Sequence, residues 1–184
     1  AIGVERNDNK AAEWYLRAAE HGDATAQCKL GNMYEEGRGV EQDNTKAVMW
    51  YRKAAEQDNV EGQFSLGVMY TKGWGVEKDY KKAAKWYRKV AEQGVSGVQF
   101  IVGAMYEKGE GVEQNYTEAA EWYRKAAEQG NATAQCKLGI MCEEGRGVEQ
   151  NDAEATEWYR KAASQSVPAA QLKLGLRYEE GRGI

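Results

Sequence analysis

The residue types that most often carry catalysis are few in this chain and widely separated. Among its 184 residues there is one histidine, His21, and there are three cysteines, Cys28, Cys136 and Cys142. Covalent catalysis needs a nucleophile, a base and a group that orients the base within hydrogen-bond reach of one another. No spacing in the sequence predicts such a group, a set of metal ligands or a phosphate-binding loop. We therefore predict a protein that is not an enzyme and that uses neither a cofactor nor a metal.

The Gly-x-Gly segments, which elsewhere could suggest a phosphate site, recur here as connectors of a repeat. The stretch Trp50-Tyr51-Arg52-Lys53 returns at Trp86, Trp122 and Trp158, at intervals of 36 residues, with a diverged copy at Trp14-Tyr15. A period of 20–50 residues indicates a solenoid, a propeller or an array. The fixed Trp-Tyr pairs are interpreted as joints between units.

Each unit predicts a pair of antiparallel helices. From Asp23 to Glu36 the apolar residues follow the 3.6-residue period of a helix, with Asp23 as its cap and Gly37 as its left-handed end. A second helix begins after the cap residue Asp43 and runs to about Gln57. The sequence therefore predicts an all-α solenoid of about ten helices in one domain, residues 1–184. Its predicted units are residues 1–22 (half), 23–58, 59–94, 95–130, 131–166 and 167–184 (half).

Two residue types repeat inside the first helix of every unit. Glycine costs about 1 kcal/mol relative to alanine in a helix, so the glycines at the position of Gly31 predict close packing against the partner helix. Glutamine stands at the position of Gln27 in every unit. These glutamines could bond a peptide backbone, or they could close the turn between units with a hydrogen bond. Their fixity favours the structural interpretation.

The reactive side chains stand at positions that the repeat uses for packing. Cys28 and Cys136 occupy the position that Phe64, Phe100 and Leu172 fill in other units, and Cys142 replaces a tyrosine. We therefore expect buried packing thiols and no disulfide framework. His21 stands in a helix-end turn where other units have glutamine. Because glutamine replaces it there, the sequence argues against a catalytic role for His21.

The composition of the chain argues against nucleic-acid binding and against membrane insertion. A net charge of −4 and a pI near 5.3 argue against nucleic acid as a partner, which usually requires a basic domain. The mean hydropathy of −0.80 and the lack of a long apolar run argue against membrane insertion. The cell envelope, secretion and the cytoplasm all fit the composition. The chain starts and stops in the same phase of the repeat, so we expect a fragment of a longer array.

The repeat pattern resembles that of a known family. Ala-x-x-x-Leu-Gly-x-Met-Tyr-x-x-Gly-x-Gly-Val, followed by Lys-Ala-x-x-Trp-Tyr-x-Lys-Ala-Ala, is similar to the Sel-one-like repeat. In this chain the pattern is carried by Ala26, Leu30, Gly31, Met33, Tyr34, Gly37, Gly39, Val40, Lys46, Ala47, Trp50, Tyr51, Lys53, Ala54 and Ala55.

The resemblance covers the whole chain and implies a right-handed superhelix related to tetratricopeptide repeats, with the first helix of each pair on the concave side. It also implies an adaptor that binds proteins, as in bacterial host interaction or in quality control of the endoplasmic reticulum. The regular cysteine pair of the secreted cysteine-rich members is missing here.

The positions that drift between units predict where a partner binds. On the first helix, the positions of Lys29, Asn32 and Glu36 lie on one face, and their counterparts are partly apolar and rimmed by lysines. An exposed apolar strip with a charged rim is typical of an interaction groove. Trp74 stands in a loop position that is polar in other units, so we expect it to be exposed, either as an anchor or packed on its own loop. The predicted partner-binding residues are Lys29, Asn32, Ser65, Val68, Lys72, Trp74, Ile101, Ala104, Lys108, Lys137, Ile140 and Lys173.

The sequence thus predicts a non-catalytic module that binds a protein or peptide. The variable face could instead pack on the next helix or drift under weak selection, which would leave a structural spacer. A third hypothesis is a β-lactam hydrolase of the cysteine-rich cell-envelope type. We also expect chains to associate end to end, because the faces near Trp14 and Leu174 lack neighbouring helices.

Overall fold

The computed structural model describes residues 6–182, and this part of the chain contains ten helices and no strand. In chain order the helices are α1 (Asp8–Glu20), α2 (Ala24–Glu36), α3 (Asn44–Glu56), α4 (Val60–Lys72), α5 (Tyr80–Glu92), α6 (Ser96–Lys108), α7 (Tyr116–Glu128), α8 (Ala132–Glu144), α9 (Asp152–Ser164) and α10 (Pro168–Glu180). The even-numbered helices are the first helices of the repeat, and the odd-numbered helices are the second helices. The predicted all-α fold with about ten helices is confirmed.

The helix ends follow the predicted capping residues. Asp23 accepts a hydrogen bond from the Ala26 amide at 2.7 Å, which satisfies one of the free N–H groups at the start of α2. Asp43 does the same for α3. Gly37 ends α2 with a φ of +67°, a left-handed conformation that glycine adopts without steric cost.

The chain divides at Trp86, inside α5, into two compact units, and each is described by itself. In unit 1, residues 6–86, α1 packs on α2, α2 on α3 and α3 on α4. In unit 2, residues 87–182, α6 packs on α7, α7 on α8, α8 on α9 and α9 on α10. Packing of each helix on its neighbour in sequence is the pattern of a helical solenoid. The handedness and the concave face that the resemblance implies stay predictions.

In unit 1, the two helices of one repeat, α2 and α3, form a joint where a glycine meets a tyrosine ring. Tyr51 of α3 is fully buried, and Trp50 beside it is nearly so. A Cβ atom added to Gly31 of α2 would lie 2.6 Å from Cε1 of Tyr51. The repeated glycine therefore allows the tyrosine ring to lie against the helix backbone, as the sequence predicts.

Unit 2 repeats this joint twice. A Cβ atom at Gly103 would lie 2.7 Å from Cδ1 of Tyr123, and one at Gly139 would lie 2.7 Å from Cε1 of Tyr159. Both rings are fully buried in the core of this unit. The same glycine–tyrosine contact therefore recurs in the structure at the 36-residue interval seen in the sequence.

The second glycine of the connecting loop also has a steric reason. Gly75 has a φ of +66°, and a Cβ atom there would collide with the carbonyl oxygen of Asn44 at the start of α3. Gly147 approaches the carbonyl oxygen of Tyr116 in the same way. These glycines serve close packing between consecutive repeats, which agrees with the interpretation of the Gly-x-Gly segments as connectors.

Gly139 and Gly175 give a matched test of the glycine joint, since they occupy the same repeat position. A Cβ atom at Gly175 would meet no atom within 4 Å. We expect Gly139→Ala to destabilise the fold by about 1–3 kcal/mol through overpacking against Tyr159. Gly175→Ala should leave stability unchanged or raise it by up to about 1 kcal/mol through helix propensity. Urea unfolding followed by circular dichroism measures both, and equal effects would contradict the joint.

Candidate functional site

The predicted partner-binding residues divide evenly between the two units. Unit 1 carries Lys29, Asn32, Ser65, Val68, Lys72 and Trp74, and unit 2 carries Ile101, Ala104, Lys108, Lys137, Ile140 and Lys173. All except Trp74, which lies in the loop after α4, are on first helices. We call these two sets the unit 1 surface and the unit 2 surface.

Two members of the unit 1 surface are held by a carboxylate on the next first helix. Nζ of Lys29 lies 3.3 Å from Oε2 of Glu61, and Asn32 donates from Nδ2 to Oε1 of the same residue at 2.9 Å. The hydrogen bond from Asn32, together with the charge of Lys29, outweighs burial and holds the pKa of Glu61 below its usual range. The Tyr51 hydroxyl lies 2.6 Å from Oδ1 of Asn32 and 2.5 Å from Oε2 of Glu35. Asn32 thus connects α2 to both α3 and α4.

The rest of the unit 1 surface is more open. Ser65 and Val68 of α4 are half-buried, and Lys72 near the end of the same helix is exposed. Trp74 is 46% exposed, so the expected exposure of this residue is confirmed. An exposed tryptophan close to a lysine provides the residue types that anchor many interfaces.

In the unit 2 surface, Lys137 takes part in a charged cluster around Glu107. The largely buried carboxylate of Glu107 accepts a hydrogen bond from the Tyr123 hydroxyl at 2.6 Å and lies 3.1 Å from Nζ of Lys137. A guanidinium nitrogen of Arg146 is 3.7 Å away. Burial alone would raise the pKa of Glu107, but these hydrogen bonds and charges outweigh it and hold the pKa below its usual range.

Lys173 takes part in the same arrangement one repeat later. The Tyr159 hydroxyl donates to Oε2 of Glu143 at 2.9 Å, and Nζ of Lys173 lies 2.6 Å from that oxygen. Arg177 donates to the other carboxylate oxygen at 2.8 Å. Burial opposes ionisation here too, and the cationic and hydroxyl partners again hold the pKa of Glu143 below its usual range.

The remaining residues of the unit 2 surface are apolar or exposed. Ile101, Ala104 and Ile140 are half-buried, and the last two pack against the core of the unit. Lys108 is exposed at the end of α6, with its Nζ 4.0 Å from a carboxylate oxygen of Glu110. This surface therefore combines partly exposed apolar side chains with one exposed lysine, Lys108, and with two lysines that are paired with carboxylates.

The three cysteines and His21 lie in environments that do not favour catalysis. The three cysteines are buried and unpaired, as expected. Burial raises the pKa of Cys28 to about 12 and that of Cys142 to about 11, so neither thiol supplies thiolate near neutral pH. His21 is exposed, with Nδ1 2.7 Å from the carbonyl oxygen of Arg17. Residues 6–182 contain no cluster of three or more histidine, cysteine or acidic residues that could hold a metal ion.

The glutamine ladder has the structural role that its fixity favours. Gln27 is buried and donates from Nε2 to the carbonyl oxygen of Ala19 at the end of α1. Its own Oε1 accepts from Gln57 at 2.8 Å. Gln99 and Gln135 repeat both bonds in unit 2. These buried amides close the turns between repeats.

Sequence reasoning missed the carboxylates that hold the lysines. A signal for them exists within the chain. Lysine follows 30 residues after Glu107 and after Glu143, at Lys137 and Lys173, whereas the repeat that has Thr71 in place of the glutamate has Ile101 in place of the lysine. Glu35 is an exception, since Ser65 stands 30 residues after it, so the joint variation predicts this contact across consecutive repeats only for Glu107 and Glu143.

It also missed Arg177, which is buried at a position that holds methionine in the other described repeats, Met141 among them. Its guanidinium donates to Oγ1 of Thr156 at 2.7 Å and to the backbone carbonyl and carboxylate of Asp152. With Glu143 as the acceptor for Nη1, each guanidinium nitrogen of Arg177 has a buried or half-buried acceptor. The signal was the paired change of methionine to arginine and of an apolar residue to Thr156.

The two carboxylate clusters predict a measurable pH dependence. Because the pKa values of Glu107 and Glu143 are lower in the folded protein than the usual value of about 4.3, their ionised forms stabilise the fold above that pH. This contribution disappears as the pH falls through the folded-state values. Replacing both with glutamine should cost about 1–3 kcal/mol at pH 7 and less at pH 3.

Thermal unfolding by circular dichroism between pH 3 and pH 7 measures the difference between wild type and the double variant. Glu121→Gln is the control, because Glu121 is exposed on α7 and forms no ion pair with residues 6–182. A double variant whose deficit does not shrink on acidification would contradict the role of these carboxylates.

No helix in the described part of the chain has both the length and the apolar character needed to cross a bilayer. A comparison with curated protein sequences found no match. The pattern of the Sel1 repeat matches residues 1–23, 24–59, 60–95, 97–131, 132–167 and 168–184.

Solved structures extend this similarity. A protective antigen present in uropathogenic Escherichia coli strains is 41% identical with a TM-score of 0.92, over 98% of this chain and 38% of that protein. A Sel1 repeat protein from Oxalobacter formigenes is 36% identical with a TM-score of 0.86, over 97% of this chain and 73% of that protein. Cysteine rich protein B of Helicobacter pylori is 26% identical with a TM-score of 0.54, over 70% of this chain and 92% of that protein. The resemblance seen in the sequence is confirmed, and the chain belongs to the Sel1 repeat family.

Proposed function

We propose that this chain is a non-catalytic module that binds an extended or helical peptide segment of a partner protein through its first helices. Sel1 repeats are generally non-catalytic scaffolds that bind other proteins, which supports the general part of the proposal. The difference between the first and the second helices of the repeat supports a binding surface on the first helices. The second helices bury their repeated Trp-Tyr pairs at most joints, whereas the first helices keep half-exposed residues that differ from repeat to repeat.

The unit 2 surface favours a partner with apolar and acidic side chains. Ile101 and Ile140 keep part of their apolar area accessible, and Lys108 is an exposed cation on the same type of helix. Burial of apolar area provides about 25 cal/mol per Å² before the entropic cost of binding. An acidic residue on the peptide would complement Lys108 and set its orientation.

The unit 1 surface has the same combination within a short stretch. Val68 and Lys72 are four residues apart on α4, hence on one face of the helix, and Trp74 follows in the loop. We propose that an apolar side chain of the peptide contacts Val68 and Trp74 while an acidic one contacts Lys72.

Lys29, Asn32, Lys137 and Lys173 are proposed to act as a polar rim. Each is already held by Glu61, Glu107 or Glu143, so a partner would meet an oriented ion pair and not a free ammonium group. Fixed polar groups lose less conformational entropy on binding than free ones do.

One observation favours a second candidate, a structural spacer. Ala104 and Ile140 pack against the core of unit 2 as well as facing outward, so their apolar character also serves the scaffold. A spacer would require no partner at either surface. The β-lactam hydrolase has no such observation in its favour, and hydrolysis assays with the purified chain test it directly.

Selection from a random peptide library tests the proposed function without a known partner. Peptides enriched on the wild-type chain should bind Lys108→Glu and Lys72→Glu variants about tenfold more weakly, which corresponds to one lost charge contact of about 1.4 kcal/mol. Ile140→Glu should weaken binding further by removing apolar contact. Fluorescence anisotropy with labelled peptides gives the dissociation constants.

Two exposed residues on second helices serve as controls. Lys85→Glu on α5 and Met49→Glu on α3 introduce the same charges away from the proposed surfaces, and they should leave the dissociation constants unchanged. Circular dichroism checks that Ile140→Glu is folded. Failure to enrich any peptide, or enrichment of peptides that ignore all three surface variants, would contradict the proposal and favour the spacer.

A further inference from the structure

We propose that unit 1 recognises an acidic segment of the partner protein, in which an apolar residue has carboxylates on both sides. This inference rests on the proposed function and adds three lysines to the unit 1 surface. Together with Lys72 they surround the loop that joins α4 to α5. We call the set the lysine edge, and its members are Lys72, Lys78, Lys81 and Lys82.

The charge of the lysine edge is an exception among the repeats. Residues 72–82 contain these four lysines and two acidic residues, Glu77 and Asp79. Acidic residues outnumber basic ones in the equivalent segments, which are residues 36–46, 108–118 and 144–154. Since the same loop and helix start form in all four segments, the fold does not require this positive charge. An anionic partner is the group that would use it.

Contacts inside the loop bring the four lysines together at one end of the repeat. The amide of Asp79 donates to the carbonyl oxygen of Tyr70 at 2.9 Å, so the start of α5 returns to the end of α4. A Cβ atom added to Gly73 would lie 3.2 Å from Cβ of Lys78. Nζ of Lys82 lies 5.4 Å from the centre of the Tyr70 ring. Lysines from two helices and from the loop between them thus surround one short turn of the chain.

Most of this charge is available to a partner. All four lysines are exposed. Nζ of Lys82 lies 3.2 Å from a carboxylate oxygen of Asp79, whereas Lys72, Lys78 and Lys81 form no ion pair with residues 6–182. The lysines described above on α2, α8 and α10 differ in this respect, because they neutralise glutamates of the fold. A partner protein provides anionic groups as carboxylates, so the lysine edge predicts several of them in the bound segment.

Trp74 predicts where the apolar residue of that segment lies. Its side chain is 46% exposed, and other repeats have charged residues at this position, namely Arg38, Glu110 and Arg146. In the chain, Trp74 lies between Lys72 and Lys78, so cations flank it on both sides. An apolar side chain in contact with the indole ring would place the neighbouring carboxylates near lysines in both directions. A segment with carboxylates on one side only would leave part of the lysine edge without a partner.

Fluorescence anisotropy with three defined peptides tests this preference. The acidic probe has one leucine with three glutamates on each side. The permuted probe has the same residues with all glutamates on one side, and the neutral probe has glutamine in place of glutamate. The acidic probe should bind about tenfold more tightly than the permuted probe, and the neutral probe should bind most weakly. The affinity for the acidic probe should fall as the salt concentration rises, since exposed charges are screened over about 10 Å at 0.1 M.

A double variant, Lys78→Glu with Lys81→Glu, tests the location. Both residues are exposed, so the fold should be retained, which circular dichroism checks. We expect the double variant to bind the acidic probe at least about tenfold more weakly than wild type. The matched control is Lys10→Glu with Arg17→Glu, which makes the same change of net charge at two exposed residues of α1, two repeats earlier. The control should change the affinity by less than about twofold.

The outcomes separate this inference from the proposed function. Equal binding of the acidic and the permuted probe, or equal binding of the acidic probe by the double variant and the control, would overturn the inference alone. Library peptides that require Lys72 but bind the double variant as tightly as wild type would do the same. The proposed function would in each case still depend on the library selection.

Two other anions are compared in the same assay, namely vesicles of phosphatidylserine with phosphatidylcholine, and single-stranded DNA. The proposal predicts that neither binds the wild-type chain as tightly as the acidic probe does. If vesicles or DNA bind through the lysine edge and the acidic probe does not, the partner is a membrane or a nucleic acid, and the proposal is overturned.

Discussion

The structure depends on one contact, that of a tyrosine ring with a glycine in the neighbouring helix. The ring of Tyr123 or Tyr159 is fully buried only because the facing residue has no Cβ atom. A buried phenol hydroxyl requires an acceptor, and in unit 2 a carboxylate provides it. That carboxylate is itself largely buried and therefore requires a cation, which the next repeat provides as Lys137 or Lys173. The close contact of tyrosine with glycine thus requires a carboxylate for the hydroxyl group, and the carboxylate requires a lysine from the next repeat. The lysine connects the two repeats.

This sequence of requirements changes the interpretation of the variable face. Drift between repeats suggested that its lysines were free for a partner. The structure gives them a role in the scaffold, since they neutralise Glu61, Glu107 and Glu143. The residues that retain the character of a contact surface are the apolar Val68, Ile101 and Ile140 and the exposed Lys72, Lys108 and Trp74. The first helices therefore carry both the lysines that stabilise the fold and the residues of the proposed contact surface. On α8, for example, Lys137 and Ile140 are less than one helical turn apart.

Most of the fold could be predicted from the sequence because its signals are local or periodic. Asp23 and Gly37 mark helix ends by their own backbone chemistry, and the fixed Gly31 and Tyr51 mark the joint by recurrence. The ion pairs could not be found by treating each position of one helix separately. Lys137 and Glu107 are 30 residues apart, and their relation appears only when two repeats are compared together. Arg177 escaped for a related reason, because a buried arginine at a methionine position depends on simultaneous changes at Thr156 and Asp152.

The central claim is that tyrosine, glutamate and lysine act as one connected unit across the consecutive repeats of unit 2. A double-mutant cycle of Tyr159→Phe and Lys173→Met measures this connection, since both residues act through Glu143. The account predicts a coupling free energy of about 0.5–3 kcal/mol for this pair. The crossed pair Tyr123→Phe and Lys173→Met, whose residues contact different glutamates, should be additive. Additive effects of Tyr159→Phe and Lys173→Met in chemical unfolding would contradict the account.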